Sequence, residues 1–403
     1  MMAGGGAIVD EMLPAKQLRF SETTASVLLD AVRGVAAVLV LLEHWRNAFF
    51  VDFPQVQVHR VPLSALYLLC AVGHQAVVIF FVLSGYLISG SVLRALERKQ
   101  WSWRRYLTHR LVRLWIVLIP ALVLGACWDH LGMHSHLAPA LYSGANYNHM
   151  TADVRQALSW KDFLGNAAFV QTILVPPFGS NGALWSLANE FWYYILFPLA
   201  ACIAARVYRK PVSVAICGIL FCTIAAFVTR DILFAFPVWL LGALLHALPP
   251  RRTSVWLRSA ATVAYAIVFF GMAILGRKGW RGPAAVSDLV LGIFTFFFLW
   301  VLLGAMQEAK PKIASGLARA TARFSFTLYV AHTPILLFLV AVLAHDTRWI
   351  PGVMSGGVGL IALAIVVAYA LLLATVTEFR TDRVRAWAEA KVMRRTIPGR
   401  SVV

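Results

Sequence analysis

Ten stretches of 17 to 30 largely apolar residues recur from one end of this chain to the other, at 27–47, 64–93, 111–128, 183–205, 211–229, 232–248, 257–276, 285–306, 325–344 and 353–377. A helix needs about 20 such residues to cross the ~30 Å hydrocarbon layer of a bilayer, where each backbone N–H and C=O must find its partner within the segment. Of the 403 residues 60% are hydrophobic and only 13% charged, and the mean hydropathy is +0.74, outside the range of water-soluble domains. The expected fold is therefore an all-α polytopic membrane protein with about ten transmembrane helices around a polar internal cavity. Segment 163–175 is too short to span and reads as re-entrant. Pro and Gly are dispersed and no internal repeat is visible, so one membrane domain (25–378) is expected between an N-terminal tail (1–24) and a basic C-terminal tail (379–403).

Lys and Arg set the orientation, because positively charged flanks are retained in the cytoplasm. With the N-terminus inside, 26 of the 36 Lys and Arg fall on inner segments and nine on outer ones, while Arg33 lies within a span. Both termini are expected to be cytoplasmic, in the inner membrane of a bacterium. The loop GRKGWRGP (276–283) dissents, with three cations on the outer side. The net charge of +18 is thus accounted for by topology and by anionic membrane lipid, not by nucleic acid. The N-terminus lacks a basic stretch running directly into an apolar one, so the first span is expected to serve as the insertion signal. The five Cys lack metal-binding or disulfide spacing and read as packing residues.

Ionisable groups within such spans cost roughly 2.5–3.5 kcal/mol each near the bilayer centre and persist where they face a partner or a wet cavity. In RGVAAVLVLLEH, Arg33 and His44 are eleven residues apart, three helical turns plus about 20°, so they share a face about 16 Å apart along the axis. Asp30 stands one turn before Arg33 as its counter-ion. In ALWSLANEFWYYILFP, Ser186 and Glu190 share a face, and Trp185 precedes them. In FSFTLYVAHTPI, Ser325, Tyr329 and His332 form one stripe. FFVLSGYLISG places Ser84 and Gly85 in the second span, where the small residues read first as close helix packing and second as exposed backbone lining a channel. Arg110 and Arg113 stand one turn apart before the third span, in the arrangement by which paired guanidiniums grip phosphate.

Together these elements resemble the acyltransferase-3 family of integral membrane O-acyltransferases. The resemblance rests on Arg33 and His44 with ten residues between them, FFVLSGYLI (80–88), Arg110-x-x-Arg113, LWSLANE (184–190), FPVWLLGALL (236–245) and SFTLYVAHTPI (325–335), covering roughly 27–340 in order. Two positions depart from it: Ile116 stands where the family commonly has Pro, and the late Glu-x-Pro is Glu378-Phe379-Arg380. The resemblance implies acyl-CoA, acetyl-CoA in particular, as cytoplasmic co-substrate and a hydroxyl of a carbohydrate or glycoconjugate as acceptor. It carries over His44 and Arg33 as the essential pair and Arg110 and Arg113 as donor-binding.

Acyl transfer needs a base for the hydroxyl proton, donors for the developing oxyanion and a grip on the donor. His44 is the expected base, with Arg33 and Glu190 completing the catalytic set. Arg110, Arg113, Gly85 and Ser84 are expected along the donor, and Ser186, Trp185, Tyr329, His332 and Asp30 toward the acceptor or oxyanion. The rival class is a proton-coupled transporter or flippase of a lipid-linked sugar, using Arg33, His44 and Glu190 as a relay. No metal is expected, although His130, His134 and His136 cluster in an outer loop. Self-association into a homo-oligomer is left open.

Overall fold

A computed structural model of the chain describes residues 23–57, 59–144, 153–277, 284–306 and 313–394. Most of the N-terminal tail, the cationic part of the loop at 276–283 and the end of the C-terminal tail lie outside these. The described helices are α1 (Thr24–Phe49), α2 (Arg60–Leu69), α3 (Gly73–Glu97), α4 (Trp103–Ser135), α5 (Pro139–Ser143), α6 (Trp160–Ala167), α7 (Trp185–Ala204), α8 (Pro211–Phe227), α9 (Arg230–Ala247), α10 (Val255–Arg277), α11 (Ala284–Leu303), α12 (Ile313–Leu343), α13 (Val353–Val376) and α14 (Thr381–Arg394). Among the described residues no strand forms, and nine helical segments are long and apolar enough to cross a membrane. The protein is an all-α polytopic membrane protein.

The tenth expected span is α8, whose 17 residues reach only about 25 Å at 1.5 Å each. Its neighbours show that it nonetheless reverses the chain. Helices α3, α7 and α9 run parallel, since His74 meets Trp185, Ser84 meets Glu190, Gly85 meets Trp239 and Gly90 meets His246. The segment from Ala204 to Arg230 must return between α7 and α9, and the end of α8, Phe227, lies back beside Trp192. Helices α1, α4 and α12 run the opposite way as a second parallel set, through Arg33 to Ala322, His44 to His332 and Trp128 to Phe338. Helix α13 is antiparallel to α12, with Trp45 bonded to the Gly359 carbonyl near one end and Thr327 to Glu378 near the other. The chain therefore alternates direction, and Thr24 and Val376 lie at the same end of the bundle.

Local chemistry sets the helix boundaries. The side chains of Thr23 and Ser102 accept from backbone N–H groups in the first turns of α1 and α4. The apolar run 64–93, expected as one span, is two helices broken at 70–72. The break leaves the first N–H groups of α3 without helical partners, and the Glu43 carboxylate accepts from Gly73 and His74. That contact accounts for a carboxylate in the apolar α1. The stretch expected to be re-entrant contains the end of α6 and a turn bridged between Gln171 and Val175. Helix α14 lies against the start of α4, where Glu389 pairs with Arg105 at 2.7 Å and His109 at 3.2 Å.

Candidate active site

Helices α1, α3, α4, α7 and α12 enclose a cavity of about 120 Å³. Arg33 and Arg113 line it, with Ser84, Glu190 and Tyr194 on one wall and Ser186 and Tyr329 on another. The Glu190 carboxylate accepts from the hydroxyls of Ser84, at 3.0 Å, and Tyr194, and the Trp239 indole N–H donates to Ser84 at 3.2 Å. The carboxylate is thereby held on α7 by hydroxyl partners, while Arg33 across the same cavity pairs with Asp30. Tyr329 donates to the Ala183 carbonyl at 3.1 Å, so the 2.6 Å contact between Ser186 and Tyr329 has Ser186 as donor. This hydroxyl pair turns oxygen lone pairs toward the cavity.

Beside the cavity, His44 and His332 stack with ring centroids 4.9 Å apart, and His44 Nδ1 lies 2.6 Å from His332 Nε2. The direction of this bond follows from the neighbours. His332 Nδ1 is 2.9 Å from the Leu328 carbonyl oxygen and 3.0 Å from that of Tyr329; both only accept, so Nδ1 carries the proton. A neutral imidazole has one N–H, which leaves His332 Nε2 as an acceptor. His44 must then donate from Nδ1, and its Nε2 is left as an unprotonated lone pair. His332 is fully buried, whereas His44 keeps partial exposure. The unprotonated nitrogen thus belongs to the less buried of the two rings, and neither ring is among the residues that line the 120 Å³ cavity.

The cationic end is held by backbone and carboxylates. Arg33 donates to the Ala322 carbonyl at 2.7 Å and lies 3.7 Å from Asp30, while its Nε has no hydrogen-bond partner within the protein. Arg113 lies 3.8 Å from Glu378, which also accepts from the backbone N–H and hydroxyl of Thr327. Glu378 is the first residue of the late motif that departs from the family pattern, and here it braces α12 against a cavity arginine. Arg110 lies instead over the rings of Tyr106, at 5.5 Å, and Tyr194, at 5.9 Å, one layer behind the cavity wall.

Of the twelve expected residues, Arg33, Ser84, Arg113, Ser186, Glu190 and Tyr329 line the cavity, whereas Asp30, His44, Gly85, Arg110, Trp185 and His332 do not. Gly85 faces α9, where an added Cβ would fall 2.0 Å from the Trp239 carbonyl oxygen, and Gly242 faces back toward the Val82 carbonyl at the same distance. Its small size serves a backbone-to-backbone crossing, and of Ser84 and Gly85 only Ser84 lines the cavity. Trp185 stacks on His74 and lines a second cavity, on the other side of Ser186. His332, expected to face acceptor or oxyanion, faces His44. Sequence reasoning missed Tyr194, although its i+4 spacing from Glu190 places the two on one helical face. It also missed the His74–Asp288 contact of 2.8 Å, which joins residues 214 positions apart and has no local signal.

The acyltransferase domain model matches residues 27–373. The acyltransferase MdmB of Streptomyces mycarofaciens is 24% identical over 379 residues, 87% of this chain and 90% of that protein. An O-acetyl transferase of Shigella phage Sf6 is 28% identical over 215 residues, 52% of this chain and 56% of its own length. An uncharacterized protein of Haemophilus influenzae is 28% identical over 136 residues, and the chain spans about half, 51%, of its length. No solved structure matches this chain. The match of the family model across all but the ends of the chain places this protein in the acyltransferase-3 family of membrane acyltransferases.

Proposed function

We propose that the protein moves an acyl group, acetyl in particular, from cytoplasmic acyl-CoA to a hydroxyl of a carbohydrate or glycoconjugate, with His44 as general base. The basic end of the bundle, where Thr24 and Val376 lie, faces the cytoplasm of a bacterial inner membrane. The observation that carries this reading is the direction of the His44–His332 hydrogen bond, which leaves His44 Nε2 free to accept a proton. Arg33 and Arg113 sit where an anionic donor would enter, and the 120 Å³ they share with Ser186, below the ~300–1,000 Å³ of a whole small-molecule site, leaves room for the acyl-thioester end of the donor while its nucleotide and much of its arm remain outside. No metal takes part in this scheme.

The step balances without a further reactant. The acceptor O–H gives its proton to His44 Nε2 as its oxygen bonds the thioester carbonyl carbon. The tetrahedral intermediate then breaks its C–S bond, and the departing thiolate takes the proton from His44 to become free CoA. His332 holds the Nδ1 proton of His44 throughout and accepts a stronger hydrogen bond while His44 is an imidazolium. Ser186 and Tyr329 offer acceptor oxygens to an incoming hydroxyl, and Glu190 fixes Ser84 at the donor wall.

Thiol release by the purified protein, with acetyl-CoA and a panel of sugars, tests the proposal. Wild type releases thiol only with an acceptor present, and His44→Ala lowers kcat by about 10²–10⁴-fold. Full turnover by His44→Ala refutes the base assignment. Sugar flux that follows a proton gradient without thiol release replaces the enzyme with the transporter.

A further inference from the structure

A second cavity, of about 350 Å³, opens at the end of the bundle opposite the cationic one, between the starts of α3, α7, α9 and α11. That volume lies inside the ~300–1,000 Å³ range of small-molecule sites. It shares Val77 and Phe81 with the inner cavity, and its Trp185 immediately precedes Ser186, which lines the inner one. The acyl-transfer reading says nothing about what its walls select.

The wall chemistry is specific. The rings of Trp185 and His74 are stacked at 15° with centroids 6.1 Å apart, and His74 is fixed by its 2.8 Å bond to Asp288. Asp231 adds a second carboxylate, and Thr172, Thr229 and Asn189 add short neutral donors and acceptors. Among the described residues lining this cavity there is no Lys or Arg, whereas the inner cavity has Arg33 and Arg113. Flat aromatic faces pack the C–H faces of a pyranose ring, and carboxylates accept from adjacent hydroxyls or from an ammonium group. A carboxylated or phosphorylated ligand would meet like charges there at Asp231 and Asp288, the second already paired with His74.

We infer that this outer cavity is the acceptor site and that it selects neutral or amine-bearing sugars over anionic ones, Trp185 supplying the stacking face and Asp231 and Asp288 the hydroxyl or ammonium partners. The inference rests on the acyl-transfer reading and names the acceptor chemistry for it. Donor and acceptor are then sorted by charge: the anionic one at the guanidinium end and the uncharged or cationic one at the carboxylate end. They approach from opposite faces and meet beyond Val77 and Phe81.

Binding without turnover tests this separately from the catalytic reading. The full-length protein in nanodiscs, free of donor, is titrated with labelled methyl glucoside, methyl glucosaminide and methyl glucuronide. Wild type and His44→Ala bind the first two, and bind the glucuronide weaker by about tenfold or more, equivalent to 1.4 kcal/mol. Trp185→Ala loses sugar binding while Trp185→Phe, which keeps a stacking face, retains it. Asp231→Asn combined with Asp288→Asn narrows the gap between glucoside and glucuronide. Equal binding of the glucuronide by wild type overturns the inference, as does binding that survives Trp185→Ala or the absence of binding by all three sugars. Loss of thiol release with sugar binding intact strikes only the catalytic reading.

Discussion

Replacing His332 separates a positioning role from mere packing. In the neutral pair, His44 Nδ1 donates across 2.6 Å to His332 Nε2; once His44 has taken the acceptor's proton, the same bond has a cationic donor. Hydrogen bonds with a charged partner contribute about 1.5–3 kcal/mol, so removing this acceptor lowers kcat by about 10- to 150-fold. His332→Phe removes the acceptor but keeps a planar ring in the fully buried site, and His332→Gln restores an acceptor oxygen on a flexible chain. Steady-state thiol release by each variant, with folding checked by size-exclusion profile and thermal unfolding, gives kcat and the KM of each substrate. The expected result is a low kcat for His332→Phe, substantial recovery for His332→Gln and little change in either KM. A folded His332→Phe with wild-type kcat refutes the tautomer argument. Equal losses in Phe and Gln variants refute it too, because packing alone would then explain them.

Three further outcomes follow. Arg113→Gln raises the KM for acyl-CoA by about tenfold or more, the value of one lost charge-assisted contact, and Arg113→Lys recovers part of it, as donor titrations of initial rate would register. Gly85→Val forces α3 and α9 apart at a point where the Cβ would sit 2.0 Å from the Trp239 carbonyl oxygen, costing about 1–3 kcal/mol of stability; a melting curve unchanged from wild type contradicts the crossing. Asp52 lies in the loop after α1, where burial pushes its carboxyl up but hydrogen bonds and charge from Arg348 and Arg46 outweigh it, so its pKa falls below the ordinary 3.8. A carboxyl with a depressed folded-state pKa contributes stability above its unfolded value, lost as pH falls through the folded one. Asp52→Asn therefore lowers the melting temperature at pH 7 and converges on wild type well below pH 3.8.

The spans were readable because lipid imposes the same length and apolarity on every crossing, and α8 departs from that length only by being short. The break at 70–72 was hidden because the apolar run continues through it and the group that completes α3, Glu43, comes from another helix. Arg33, His44, Glu190, Ser186 and Tyr329 each stood out as a polar residue in an apolar run. Their partners did not: which face of α1 meets which face of α12 depends on how helices nearly 290 residues apart in sequence are rotated, as the 288-residue separation of His44 and His332 shows. At Gly85 the first of the two sequence readings, close helix packing, is the one the structure matches, since a small residue marks close approach without saying whether ligand or backbone approaches.

Val77 and Phe81 face both chambers, and the Phe81 ring is wedged edge-on against Trp185 and Tyr193. These side chains form a bulkhead between the two chambers. On the proposed transfer, an acyl group handed across that bulkhead would leave the cell interior while its carrier stayed behind, so the energy of an internal thioester would be spent on outside chemistry with no carrier exported.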